Sequence, residues 1–103
     1  MDINWIKKQI KGGNYEFSAH AEEERQADKL TIDEIEHALS EGKAVEDYPD
    51  DPRGPSCLVL GYGEFGVPVH IVCGRTKQGT LRIITVYVPT APKWIDERTR
   101  RKI

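Results

Sequence analysis

The sequence predicts an α+β domain, with N-terminal helices packed on a four-stranded antiparallel sheet. Three observations predict it. Apolar residues recur at helical spacing up to Gly42. The period then changes to the alternation of strands, and Gly- and Pro-containing turns separate the later segments. Helices followed by a meander, rather than alternating with strands, mark the class. With 103 residues the chain makes one domain, residues 1–103, large enough for a modest core without staples.

Ile3, Ile6 and Ile10 fall on one face of a helix over residues 2–11, which Gly12 and Gly13 stop. Phe17 and Ser18 open a second helix. Ser18 is its N-cap, because the hydroxyl accepts from an orphan N–H of the first turn. The body of that helix, residues 19–29, is polar and has little to bury beyond small alanines. Thr31 and Glu34 form a capping box for a third helix starting at Ile32. Ile32, Ile35, Ala38 and Leu39 make its buried stripe, and Gly42 ends it. Residues 44–48 read as a strand, 49–56 as a turn-rich loop and 57–62 as a second strand. Residues 63–66 make a hairpin turn. Strands over 67–75 and 80–89 follow, joined through 76–79, and a basic tail closes the chain.

The formal net charge is −2, but it is unevenly spread. Residues 1–52 carry 6 Lys/Arg and 14 Asp/Glu, and residues 53–103 carry 9 and 3. The second half is thus a candidate nucleic-acid surface. At 38% hydrophobic and 31% charged, with no apolar run near the roughly 20 residues of a membrane helix, no membrane span is expected. Two cysteines, Cys57 and Cys73, are too few for a secreted disulfide scaffold. The location expected is cytoplasmic, with both thiols reduced in the core.

Histidine is the side chain best suited to proton transfer near neutral pH. His37 falls opposite the stripe of the third helix and reads as a surface residue. His20 sits in the first turn of the polar helix, with Glu23 and Glu24 at i+3 and i+4. His70 is interior to the apolar strand Val69-His70-Ile71-Val72, where a polar residue needs a partner. If residues 76–79 are the loop, Arg75 faces Thr80, His70 opposes Thr85, and Val72 opposes Ile83. Tyr87 then shares the face, and His70, Thr85 and Tyr87 form one polar patch. The plainer reading is a buried histidine bonded to a core threonine or a carbonyl. No C-x-x-C or H-x-x-x-H occurs, so neither a metal nor another cofactor is expected. In the tail, Trp94 stands among Lys93, Arg98, Arg100, Arg101 and Lys102, and Arg75 and Arg82 add charge from the strands. That combination suits phosphate contact with base stacking.

Several motifs in order resemble the domain-of-unknown-function 4258 family. They are Phe17-Ser18-x-His20-Ala21, Thr31-Ile32-x-Glu34-Ile35, Gly42 and Glu46-Asp47-Tyr48-Pro49. Then come Cys57-Leu58-Val59-Leu60-Gly61, Pro68-x-His70-x-Val72, and Ile84-Thr85-x-Tyr87-x-Pro89 with Trp94 and the closing arginines. The family is similar to the RelE-like ribonucleases, a superfamily that embraces barnase-like and colicin-type domains. The resemblance implies a RelE-like fold and a toxin that cleaves RNA without metal. It also implies a cognate antitoxin, including the YgiT/MqsA type with a CxxC zinc finger. It maps the helix histidine onto His20 and the strand histidine onto His70. Many relatives carry Arg four residues after the helix histidine. Here Glu24 stands there, and Arg25 follows it.

The expected function is therefore a metal-independent endoribonuclease toxin acting by acid–base catalysis. His20 and His70 would be the acid–base pair, with Thr85 and Tyr87 beside them. Arg25, Arg82, Trp94, Arg98, Arg100 and Arg101 would bind the RNA. The alternative is a non-catalytic domain that binds protein or RNA, with His70 structural. A helix-turn-helix DNA binder is disfavoured, because the third helix carries Asp33, Glu34, Glu36 and Glu41 outside its stripe, and these repel phosphate.

Overall fold

Asp2 opens α1 (Ile3–Lys11), its carboxylate accepting from the Asn4 amide at 2.8 Å. The fold is that of a computed structural model, which describes residues 1–89. After α1 come β1 (Tyr15–Phe17), α2 (Ala19–Ala27) and α3 (Ile32–Glu41). The remaining strands are β2 (Lys43–Tyr48), β3 (Ser56–Tyr62), β4 (Pro68–Arg75) and β5 (Leu81–Tyr87), with a 3-10 turn at Glu64–Gly66. The capping box of α3 is formed as expected. Thr31 Oγ1 accepts from the Glu34 amide at 3.0 Å, and Glu34 returns the contact to the Thr31 amide at 3.1 Å. The second Glu34 oxygen accepts from the Glu64 amide at 3.1 Å, tying α3 to the β3–β4 turn.

The sheet has five strands in the order β1-β5-β4-β3-β2. β1 runs parallel to β5, and the other neighbours are antiparallel. The expected four-stranded antiparallel sheet is thus corrected to a five-stranded mixed one. The missed strand is three residues long, too short for an alternation to show in sequence.

One sheet face carries the core. Cys57, Val59, Ile71, Cys73, Leu81, Ile83 and Val86 pack with Ile6 and Ile10 of α1 and Ile35, Ala38 and Leu39 of α3. Ile32, expected in the buried stripe, is 46% exposed instead. α3 lies so close to β3 that a Cβ on Gly61 would sit 2.1 Å from the Ala38 carbonyl oxygen. Cys57 and Cys73 are register partners and both are free thiols. Burial pushes both thiols up, Cys73 further, which keeps them protonated and weakly reactive.

Successive strand residues alternate between faces. The opposite face therefore carries Leu58, Leu60, His70, Val72 and Gly74, and Leu58, Leu60 and His70 are as buried as the core. Here the expected β4–β5 pairing needs correction. Arg75 pairs with Leu81 rather than Thr80, Cys73 with Ile83, Val72 with Thr85 and His70 with Tyr87. Two slips produce this. The loop holds one more residue than expected, with Thr76 and Thr80 hydroxyls 2.7 Å apart across its base. A bulge between Val72 and Cys73 then leaves Ile84 unmatched. A single slip would send Thr85 and Tyr87 to the core face, and the second returns them. His70, Thr85 and Tyr87 thus share a face, though His70 meets Tyr87 rather than Thr85.

Tyr15 links β1 to α3 by donating to Glu36 at 2.6 Å. Partial burial and that carboxylate push its phenol up to about 12. The folded state therefore holds the phenolic proton more tightly than the unfolded chain. Its contribution to stability is present below pH 10 and is lost as pH rises toward 12. Tyr15→Phe is expected to flatten the fall in denaturation midpoint between pH 10 and 12. An unchanged slope would refute the link.

Candidate functional site

Ser18 fixes the start of α2 to the bulge in β5. Its amide donates to the Ile83 carbonyl at 2.9 Å and its hydroxyl to the Ile84 carbonyl at 2.8 Å. The same hydroxyl oxygen accepts from the Ala21 amide at 3.0 Å, completing the N-cap. Beyond Phe17, β1 no longer covers the edge of β5. The polar face of α2 takes over: Glu24 accepts from the Val86 amide at 3.1 Å and Asp28 from the Val88 amide at 3.4 Å. Two carboxylates one helical turn apart thus satisfy edge amides that a strand would otherwise pair. This explains a helix with so little to bury.

Glu24 also binds the Thr85 hydroxyl and lies 3.3 Å from His20 Nε2. His20 itself projects from the first turn with 68% of its side chain exposed. It points along the wall of a cavity of about 590 Å³. Gly74 and Ile84 belong to this cavity from the sheet, Arg53 to Pro55 from the loop before β3, and Thr76 to Gln78 from the β4–β5 loop. Residues 53–89 contain four Lys/Arg, namely Arg53, Arg75, Lys77 and Arg82, and all four line it. One acid, Glu16, lines it with them.

The four cations are held differently. Arg53 is paired with Asp51 at 3.2 Å, and its guanidinium and backbone amide hold that carboxylate down at about 2. Arg82 meets Glu16 at 3.2 Å, with both side chains about half exposed, so the pair is weak and readily exchanged. The Arg75 guanidinium carbon lies 4.6 Å from the centroid of the Trp5 ring. Lys77 has no ion-pair partner among the described residues.

The expected site residues that lie within residues 1–89 divide into three groups. His20 and Arg82 reach the cavity. His70 is fully buried, its Nδ1 3.3 Å from the Tyr87 hydroxyl, with the rings edge-to-face at 5.2 Å. That pair and Thr85 continue the same sheet face but are not part of the cavity lining. Arg25 lies apart. Its guanidinium is bound by Glu22, at 2.9 Å through Nε, and it donates to the Leu30 carbonyl at 2.8 Å. It closes the α2–α3 turn, consistent with its position about 100° around the helix from Glu24. Trp94, Arg98, Arg100 and Arg101 lie outside the described residues. Sequence reading missed Arg53 and Lys77. Their signal was available in the basic second half, but not that two loops would bring them together.

Other surfaces differ in character. A second cavity, beside α3, is lined by Asp33, Glu34, His37 and Glu64 and would repel an anion. Among the described residues no group of three or more His, Cys, Asp or Glu side chains could hold a metal ion. No described helix is long and apolar enough to cross a membrane.

Fold and cavity together define an α+β protein with a cationic, histidine-bearing cleft at one end of its sheet. The chain belongs to the family described as a domain of unknown function, DUF4258, which matches it over residues 17–88. Compared with the curated proteins and with the solved structures, the chain matches none.

Proposed function

We propose that this protein is a metal-independent endoribonuclease with a RelE-like fold, the toxin of a toxin–antitoxin pair, which binds RNA in the basic cleft. One observation carries the reading: every Lys and Arg between residues 53 and 89 lines a single cavity together with the exposed His20. Cations collect phosphodiester oxygens, and a histidine beside them moves a proton.

RNA supplies its own nucleophile. The 2′-oxygen attacks the adjacent phosphorus, the bond to the 5′-oxygen breaks, and a 2′,3′-cyclic phosphate remains. A base takes the 2′-hydroxyl proton, and an acid returns one to the leaving 5′-oxygen. His20 is the exposed group for one of these transfers. Of the second pair, Tyr87 is partly exposed and His70 buried. Tyr87 is then the group that meets RNA, and His70 orients it. Arg82 and Lys77 stabilise charge developing on the phosphate oxygens. Purified protein is expected to cleave RNA in EDTA, leaving cyclic phosphate ends. Intact RNA across varied substrates would overturn the reading. An antitoxin, including the YgiT/MqsA CxxC type, would silence the enzyme by covering the cleft. Toxicity on induction that co-expression of the neighbouring gene relieves is the matching cellular result.

A second reading, RNA binding without cleavage, is favoured by one observation: His70 lies outside the cavity and is fully buried. Both readings need cationic contacts, and these make affinity fall with salt. Lys77→Ala is expected to keep the fold and to reduce the log–log salt slope for a single strand by about 0.7, one phosphate contact. An unchanged slope would place the contacts elsewhere.

A further inference from the structure

A third cavity adjoins the cleft. It is lined by Met1, Asp2, Trp5, Pro55 and Arg75, and it shares Pro55 and Arg75 with the cationic one. Arg75 is thus the partition between them. Its guanidinium carbon lies over the Trp5 ring at 4.6 Å, so the aromatic holds the cation in place. Trp5 in turn is fixed from behind, packing against the core cluster while remaining partly exposed. An arginine held in this way keeps its charge and its donors, and guanidinium and indole are both flat groups. Unpaired bases stack on aromatic rings and on guanidinium planes, whereas bases inside a duplex are already stacked.

We propose that Trp5 and Arg75 form a nucleobase platform beside the phosphate cleft, so that the ligand is a single-stranded RNA segment. Its phosphate lies among Lys77, Arg82 and Arg53, and the adjoining base stacks at Arg75 and Trp5. The platform rests on the RNA reading of the cleft and narrows it to unpaired strands. Trp5 lies outside residues 17–88, which the family model matches, and Arg75 lies within them.

The test is binding of 2′-O-methyl RNA hexamers, which lack the nucleophile and survive the measurement. Three probes are compared by fluorescence anisotropy: an ordinary hexamer, one with abasic sugars, and a blunt duplex of the same sequence. The protein is expected to bind the ordinary hexamer about 10-fold or more tighter than the abasic one. Arg75→Lys keeps the charge and loses the plane. It should bring that ratio near one while the abasic affinity stays within about threefold. Trp5→Leu should do the same, and Arg75→Lys guards against a folding defect from that partly buried position. Equal binding of base-bearing and abasic strands by the unaltered protein overturns the platform but leaves the phosphate cleft standing. Equal or tighter binding of the duplex also overturns it. Failure to bind any of the three overturns the RNA reading itself.

Discussion

His20→Ala is expected to leave a folded protein that has lost about 100-fold or more of its RNA cleavage, the ordinary contribution of a general acid or base. The ring is 68% exposed and its one polar partner among the described residues is Glu24, so its removal opens no cavity. Glu24 keeps its contacts with Thr85 and the Val86 amide, and α2 stays docked. His70→Ala should differ in losing stability as well as the orientation of Tyr87. That ring is fully buried and packs edge-to-face on Tyr87, so its loss should cost about 3 kcal/mol of stability. Melting curves beside cleavage rates separate the two. Full activity in folded His20→Ala would remove the histidine from the reaction. Unchanged stability in His70→Ala would remove the structural role.

Gly61→Ala is expected to be the most damaging of the glycine-to-alanine changes. The new carbon would lie 2.1 Å from the Ala38 carbonyl oxygen and 2.6 Å from its Cα. Those are backbone atoms of α3, so no side-chain rotation relieves the clash. α3 must lift from β3, separating Ile35, Ala38 and Leu39 from Val59 and Ile71. Overpacking of this kind costs about 3 kcal/mol. A domain of this size has only about 5–15 kcal/mol in total, so the melting point should fall by roughly 10–20 °C. The folded fraction should still bind RNA, because Gly61 is on the core face and the cleft is lined by other residues. A melting point within about 3 °C of the parent would show that α3 does not rest on Gly61.

The helices were legible because their ends are written in local chemistry. Ser18 and Thr31 each cap the helix that follows, Glu34 completes the capping box, and Gly12 closes the first helix, whose Asp2 cap the sequence reading did not name. The sheet was legible only where a strand is long enough to alternate. β1 is three residues, and its parallel partner β5 lies over sixty residues away, so no local pattern announces the pairing. The bulge at Ile84 was hidden for a related reason. The Ile84 carbonyl accepts from the Ser18 hydroxyl at the start of α2, a contact 66 residues away in sequence. Face-sharing of His70, Thr85 and Tyr87 was still read, because two one-residue slips restore the parity of a strand. The cleft was half legible. Charge counting located its cations in the second half. Only the meeting of the β4–β5 loop, the loop before β3 and the first turn of α2 gathers Arg53, Lys77 and Arg82 beside His20. The acidic α2, an unlikely neighbour for RNA by composition, contributes because Glu24 and Asp28 turn inward to the β5 edge.

The central claim is that the cationic cleft is where RNA binds. Backbone amide chemical shifts, followed as a single-stranded 2′-O-methyl RNA is titrated in, test it most directly. The account predicts perturbations concentrated at Gly54, Gly74, Thr76, Lys77 and Gln78 with His20, and little change along α3. Perturbations centred on Asp33, Glu34 and His37, or none at saturating RNA, would contradict it.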